Sequence, residues 1–206
     1  MINTFRREPH LELEARLGKI HEGRDFRAGM SESYSRKLHS DMTDASTYGV
    51  WKNVHPLRNF EYKYFPNDVR ARYEVGVPTE FHRVVRRAFF VVVCLKRSCA
   101  IKFALKEEIP LPADTQTLEP FSHIRLNSRA SLEMSGWRYD FTKVGEGKAK
   151  EQACERLSYQ IELEMLKSES TKTDHQLAVQ FLGLTRDLLG RYDDYGRPDD
   201  LHLSKI

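Results

Sequence analysis

Only three cysteines occur in the 206 residues, Cys94, Cys99 and Cys154, and no two have Cys-x-x-Cys spacing. An odd, unpaired set argues against a disulfide framework and a cysteine zinc site, and favours a reducing compartment. Long apolar runs are also lacking. The longest, Ala88–Leu95, falls far short of the ~20 residues that cross a bilayer, so no membrane partner is expected. The opening residues, MINTFRREPHLELEARL, hold no apolar stretch of secretory type, so no signal is expected there. There is no fixed-period repeat and no low-complexity tract. The nearest string to a P-loop, Gly145-Glu146-Gly147-Lys148-Ala149, lacks the first glycine at the required spacing and the final Ser/Thr. It reads instead as a tight loop. No cysteine is followed by five residues and an arginine, which argues against a cysteine phosphatase. The eight histidines show no HExxH spacing, which argues against a histidine zinc site.

What is present is a globular composition: 40% hydrophobic, 31% charged and 11% aromatic, which excludes a disordered chain, a collagen and a coiled coil. Net charge is only +3, but it is unevenly spread. Seven Lys/Arg and no acid lie between His82 and Lys106, and five Asp against two Arg lie between Asp187 and Asp200. The length allows one sizeable domain, taken as residues 1–206 with a strand core over about 11–166.

Period-two alternation dominates that core. It runs through Leu11–Leu17, Phe60–Tyr64, Val69–Val75, Ile101–Lys106, Ile124–Arg129, Trp137–Thr142 and Tyr159–Met165, with Phe89–Leu95 as a further, wholly apolar candidate strand. So many short strands imply an antiparallel sheet that is large or closed. Helices are fewer. Asp174 is placed to cap a helix over 174–190 with Leu177, Phe181, Leu184 and Leu188 on one stripe. A short helix is expected after Thr79, through Phe81, Val84, Val85 and Ala88, and another around Ser33–Ser40. The remainder of His21–Asn53, and the two-proline stretch Glu107–Glu119, read as loops. The fold class is mainly β (α+β): a β-barrel-like domain with a few helices packed outside. Cys94, Cys99 and Trp137 read as core residues, Trp51 as a possible base-stacking ring, and Asp193–Asp200 as a solvated acidic stretch.

The charged faces of the strands differ from one another. The first and last carry carboxylate pairs, Glu12 with Glu14 and Glu162 with Glu164; the middle ones carry Arg70, Arg72, Lys102, Lys106, Arg125, Arg129 and Arg138. A single such strand is an ordinary solvated face. Glu-x-Glu on a strand, however, sets two carboxylates roughly 6–7 Å apart on one side. Two such pairs on neighbouring strands repel unless a cation relieves them, and hard oxygen ligands suit Mg²⁺ or Mn²⁺. Facing Lys and Arg suit a polyphosphate. In a closed sheet both sets share a lumen, an arrangement suited to phosphoanhydride hydrolysis.

LELEARLGKI and SYQIELEML resemble the first and last metal-binding motifs of the triphosphate tunnel metalloenzymes. WRYDFTKV, twenty residues before the last motif, is similar to the preceding strand in the RNA 5′-triphosphatases of fungal, protozoan and viral mRNA capping. The resemblance spans about Leu11–Leu166 and is firm only at these three motifs. It implies an eight-stranded antiparallel closed barrel. It also implies removal of the γ-phosphate of nascent RNA, Mg²⁺ or Mn²⁺ as cofactor, hydrolysis of nucleoside triphosphates with Mn²⁺, and a guanylyltransferase acting next. No Lys-x-Asp-Gly occurs here, so that partner is a separate chain or domain.

By the same resemblance, Glu12, Glu14, Glu162 and Glu164 hold the metal, and Arg16, Arg70, Arg125, Arg129 and Arg138 bind phosphates. Lys102 is a further tunnel candidate, and Asp140 orients Arg138 or a neighbouring cation. Gln160 and Asn127 depart from the pattern, which has a glutamate and a basic residue there. The implied compartment is the nucleus for a cellular protein, and a cytoplasmic factory or the virion for a viral one. Two alternatives are a tunnel hydrolase of inorganic triphosphate or free nucleotides, to which Glu12-x-Glu14-x-Arg16 is close, and a non-catalytic interaction module on the same barrel.

Overall fold

The computed structural model describes residues 1–20, 25–44, 53–94, 99–112, 115, 120–167 and 171–195. In chain order these form α1 (Ile2–Arg7), β1 (Leu11–Ile20), β2 (Phe26–Ala28), α2 (Glu32–Asp44), β3 (Asn53–Tyr64), β4 (Val69–Glu74), β5 (Val77–Cys94), β6 (Cys99–Pro110), β7 (His123–Met134), β8 (Trp137–Gly147), α3 (Lys150–Glu155), β9 (Leu157–Met165) and α4 (Asp174–Tyr195).

Eight strands close on themselves in the order β1-β6-β5-β4-β3-β7-β8-β9, all neighbours antiparallel, and β1 bonds back to β9 over Leu13–Arg16. The ninth, β2, adds to the far end of β1 at Gly18–Ile20, beyond the reach of β9. Two hairpins set the register of the middle strands. Val75-Gly76 joins β4 to β5 and Ser135-Gly136 joins β7 to β8. All four residues have positive φ, the conformation a two-residue turn needs to match strand twist.

The hydrophobic core lies outside the barrel. Leu11, Leu13 and Leu17 of β1, Ile101, Phe103 and Leu105 of β6, Trp137, Tyr139 and Phe141 of β8, and Ile161, Leu163 and Met165 of β9 are all buried on the outer face. They are covered by Tyr34, Leu38 and Met42 of α2 and by Leu177, Phe181 and Leu188 of α4. Phe181 sits between Trp137 and Phe103, with ring centroids 5.1 and 5.4 Å away. The Tyr34 hydroxyl donates to the Leu188 carbonyl at 2.8 Å, tying the two helices together. With apolar positions outward, alternation sends the charged positions inward.

Several expectations are corrected. Residues 79–88 form no helix; they belong to β5, which bonds to β4 on one side and β6 on the other, and sheet pairing overrides the local capping signal. The loop expected at Glu107–Glu119 begins later, because β6 runs to Pro110. Gly145-Glu146-Gly147 is the end of β8 rather than a tight loop. The helix expected at 33–40 spans 32–44, and its first turn is capped by Ser31, whose hydroxyl accepts the Tyr34 N–H. The cap of α4 is Thr173: its hydroxyl accepts from Gln176 N–H while the Gln176 side chain accepts from Thr173 N–H, a reciprocal capping box. Cys99 is buried, as expected. Trp51 and the side chains of Asp193–Asp200 and Cys94 lie outside the described residues. Among the described residues no helix is long and apolar enough to cross a membrane.

Candidate active site

The inward face of the barrel encloses a cavity of about 360 Å³. Its β1–β9 wall is carboxylate. Glu14 lies opposite Glu164 in register and Arg16 opposite Glu162, so the two Glu-x-Glu pairs are side by side, with Glu12 one step further along β1. The other walls carry cations: Lys106 on β6, Arg70 and Arg72 on β4, Arg58 on β3, Arg125 and Arg129 on β7, and Arg138 on β8. Nine residues singled out from sequence therefore line one cavity: Glu12, Glu14, Glu162, Glu164, Arg16, Arg70, Arg125, Arg129 and Arg138.

Opposite charges are interleaved. Arg16 bridges the two carboxylate strands, with Nε 2.8 Å from Glu14 and 3.2 Å from Glu162. Lys106 Nζ lies 2.8 Å from Glu14, 3.5 Å from Glu12 and 3.8 Å from Glu108. Arg138 donates to Glu164 at 2.5 Å. Arg70 is held between Glu108 at 2.5 Å and the face of Tyr62, 4.2 Å from the ring centroid. Held this way, guanidinium groups lose little further freedom when an anion arrives.

Asp140 does not line the cavity. It lies behind it, only 1% exposed, and accepts hydrogen bonds from Ser131 at 2.6 Å, Arg129 at 3.0 Å and Arg138 at 3.3 Å. Lys102 is not a lining residue either; its ammonium rests between the rings of Phe89 and Phe26. At the two departures from the family pattern, Gln160 and Asn127 both accept from Arg125, at 2.6 and 3.0 Å, so neutral amides position that guanidinium.

Burial, repulsion and pairing divide the carboxylates. Burial, with Glu108 and Glu14 nearby, pushes Glu12 up to about 7 against the pull of Lys106. Burial and the Glu12 charge push Glu164 up to about 8 in spite of Arg138. Burial would raise Glu162 too, but Arg16, Arg129 and Arg125 override it and hold it well below the usual range. Lys106 is raised: burial opposes its charge most strongly, and the Glu14, Glu12 and Glu108 carboxylates together outweigh it.

Glu12 and Glu164 are thus partly buried carboxyls that also feel neighbouring carboxylates, Glu14 among them. An all-oxygen carboxylate set fits a hard divalent cation. Among the described residues no three acidic, histidine or cysteine side chains converge closely enough to enclose an ion as they stand, and Glu14 and Glu162 are both engaged by Arg16.

The sequence reading missed several lining residues. Of the two lysines named on this strand, Lys106 lines the cavity and Lys102, four residues along the same inward face, lies beyond it; spacing alone does not tell which one the cavity reaches. Glu108 fell in a stretch read as loop because of its prolines. Arg58, Tyr62 and Tyr64 also line the cavity, on the alternating β3; the signal was there in Arg58-x-Phe60-x-Tyr62-x-Tyr64.

No protein-family model matches the sequence, and no curated protein is recognisably similar to it. Solved structures are similar. The Schizosaccharomyces pombe Pct1 RNA triphosphatase in complex with the Spt5 CTD superposes with a TM-score of 0.66 at 15% identity, over 87% of this chain and 86% of that one. Another structure of the same enzyme gives 0.61 at 16% identity, over 76% and 71%. The Mimivirus capping enzyme triphosphatase gives 0.60 at 14% identity, over 91% and 93%. The chain has the triphosphate-tunnel fold of these proteins.

Proposed function

We propose that this chain is a metal-dependent polynucleotide 5′-triphosphatase that removes the γ-phosphate of nascent RNA, the first step of cap formation. One observation carries the reading: a closed barrel whose cavity has a carboxylate wall on β1 and β9, arginines on β3, β4, β7 and β8, and a lysine on β6. Its fold neighbours, RNA triphosphatases of S. pombe and Mimivirus, support the substrate class.

Glu12, Glu14, Glu162 and Glu164 would hold Mg²⁺ or Mn²⁺. When bound, such a cation supplies charge neutralisation at the γ-phosphate and orients the attacking water. The protein's own groups do the rest. Arg16, Arg70, Arg125, Arg129, Arg138 and Lys106 surround the triphosphate and stabilise charge as the terminal bond breaks. Glu108 aims Arg70, and Asp140 aims Arg129 and Arg138. Water oxygen attacks the γ-phosphorus, the β–γ bridging bond breaks, and inorganic phosphate and a 5′-diphosphate end leave. The same cavity accepts nucleoside triphosphates, which makes a Mn²⁺-supported NTPase activity part of the proposal, with a separate guanylyltransferase as the next enzyme.

The test is phosphate release from 5′-triphosphate RNA with Mg²⁺, Mn²⁺ or EDTA. Metal-dependent release that vanishes in Glu12→Ala is expected. Folded wild type that releases nothing with either metal would overturn the reading in favour of an interaction module, and tripolyphosphate outcompeting RNA would favour the inorganic-triphosphate alternative.

A further inference from the structure

We infer that the tunnel extends into a nucleotide subsite on the inner face of β5 and β6, where Phe89 stacks the 5′-terminal base and Arg86 and Lys102 take the phosphates that follow it. The inference rests on the polynucleotide reading above and names how that substrate is told from a bare polyphosphate.

The register places these groups. Directly paired residues of antiparallel strands share a face. Phe89 pairs with Ala104, Val91 with Lys102 and Arg86 with Lys106, while Ala104 pairs in turn with Glu14 and Lys102 with Arg16. Phe89 therefore stands on the tunnel side, on the row of β6 that also carries Lys106. Its neighbour Phe90 is on the opposite, outer side, stacked on the core residue Phe103 at 4.8 Å. Among the described residues Phe89 has no such aromatic partner, and it is 55% exposed. A half-exposed ring on the charged side of the barrel is not part of the apolar core.

Two cations attend that ring. Lys102 Nζ is 5.0 Å and Arg86 Cζ 5.4 Å from its centroid, and Lys102 is also 5.8 Å from the Phe26 centroid. Arg16, Arg70, Arg129, Arg138 and Lys106 each have a carboxylate partner. Among the described residues Arg86 and Lys102 have none. Two like charges on one ring, neither in an ion pair among the described residues and with Glu14 acting on Lys102 only from further off, form a local positive site. Consistently, burial and the charges of Arg86 and Arg16 lower the Lys102 pKa.

Lys102 lies about 13 Å along β6 from Lys106, which places the group next to the triphosphate cavity. An aromatic face flanked by unpaired cations is the chemistry of sequence-tolerant single-strand binding, where any base stacks and the backbone is held electrostatically. Inorganic triphosphate has nothing to put there.

Steady-state kinetics on three substrates test this: 5′-triphosphate RNA, ATP and tripolyphosphate. Phe89→Ala should raise KM for RNA and ATP at least about fivefold with kcat kept, leave tripolyphosphate unchanged, and be rescued by Phe89→Trp. Arg86→Ala should lower the salt dependence of RNA binding by about 0.7 in log–log slope without changing that of ATP. Equal loss on all three substrates, or no change on any, overturns the subsite. So does a changed sedimentation coefficient with every KM intact, which would assign the ring to a protein contact. Wild type that hydrolyses none of the three instead overturns the parent reading, and the two failures are distinguishable.

Discussion

Asp140 shows how much of this cavity is built behind the residues that line it. Its carboxylate is buried and is shared by Ser131, Arg129 and Arg138. Removing one member of a buried charged cluster leaves the others unbalanced, a loss of about 3–5 kcal/mol in comparable cases. Asp140→Ala should therefore lower stability by about that amount. Asp140→Asn keeps the shape and an acceptor for Ser131 but takes from Arg129 and Arg138 the charge they share, leaving them only Glu162 and Glu164 respectively. It should lower kcat for phosphate release by about tenfold or more, as expected when transition-state donors are misaimed, while the melting temperature falls much less than in the alanine variant. Parallel thermal unfolding and phosphate-release assays separate the two. If Asp140→Asn kept full turnover, Arg129 and Arg138 would be positioned without it.

Among the elements, α3 is seated directly on the end of β8. A Cβ added at Gly145 would lie 2.1 Å from the Ala153 carbonyl oxygen, which is backbone and does not yield easily. Gly145→Ala should cost about 1–3 kcal/mol by forcing the two elements apart. Gly183, inside α4, has nothing within 4 Å of an added Cβ. Gly183→Ala should gain about 0.5–1 kcal/mol through helix propensity. For a chain of this length each kcal/mol moves the midpoint by about 2–4 °C, so thermal melts distinguish opposite signs. The same elements show what the sequence made legible. Strands with strict alternation, such as β1, β4, β8 and β9, were readable because inside and outside differ in polarity. β5 was not, because a bulge between Arg86 and Ala88 shifts the inward set from His82, Val84 and Arg86 to Phe89, Val91 and Val93. Across that shift the period-two signal cancels and a helix-like spacing remains. Glu108 was hidden by Pro110 and Pro112, although proline ends a strand without erasing what precedes it. The four glutamates and five arginines were legible because each sits on an alternating strand; Asp140's place behind the cavity was not, since its strand alternation points it inward like the rest.

At the scale of the molecule, the barrel keeps its apolar core outside and its charges inside, and this sets how stability depends on pH. Glu12 and Glu164 have carboxyls raised from an ordinary 4.5 to about 7 and about 8. Between those values the folded protein holds protons that the unfolded chain has released. The stability tied to this difference is complete below the unfolded pKa and is lost as pH rises through the folded values. Glu162 and Glu108 are held low, chiefly by Arg16 and Arg70 respectively acting against burial, and contribute in the opposite sense: their share is lost as pH falls below the ordinary carboxylate range. In EDTA the two raised groups govern the window from about pH 5 to 8, so the melting temperature should fall from pH 5.5 to 8.5. A ligand that binds only the folded state stabilises it, and a divalent cation competes with protons for the same oxygens. Mn²⁺ should therefore raise the melting temperature more at pH 8.5 than at 5.5. A melting temperature that climbed with pH in EDTA would mean that the barrel's own arginines and Lys106 already neutralise the carboxylate wall, leaving no anionic excess for a cation to relieve.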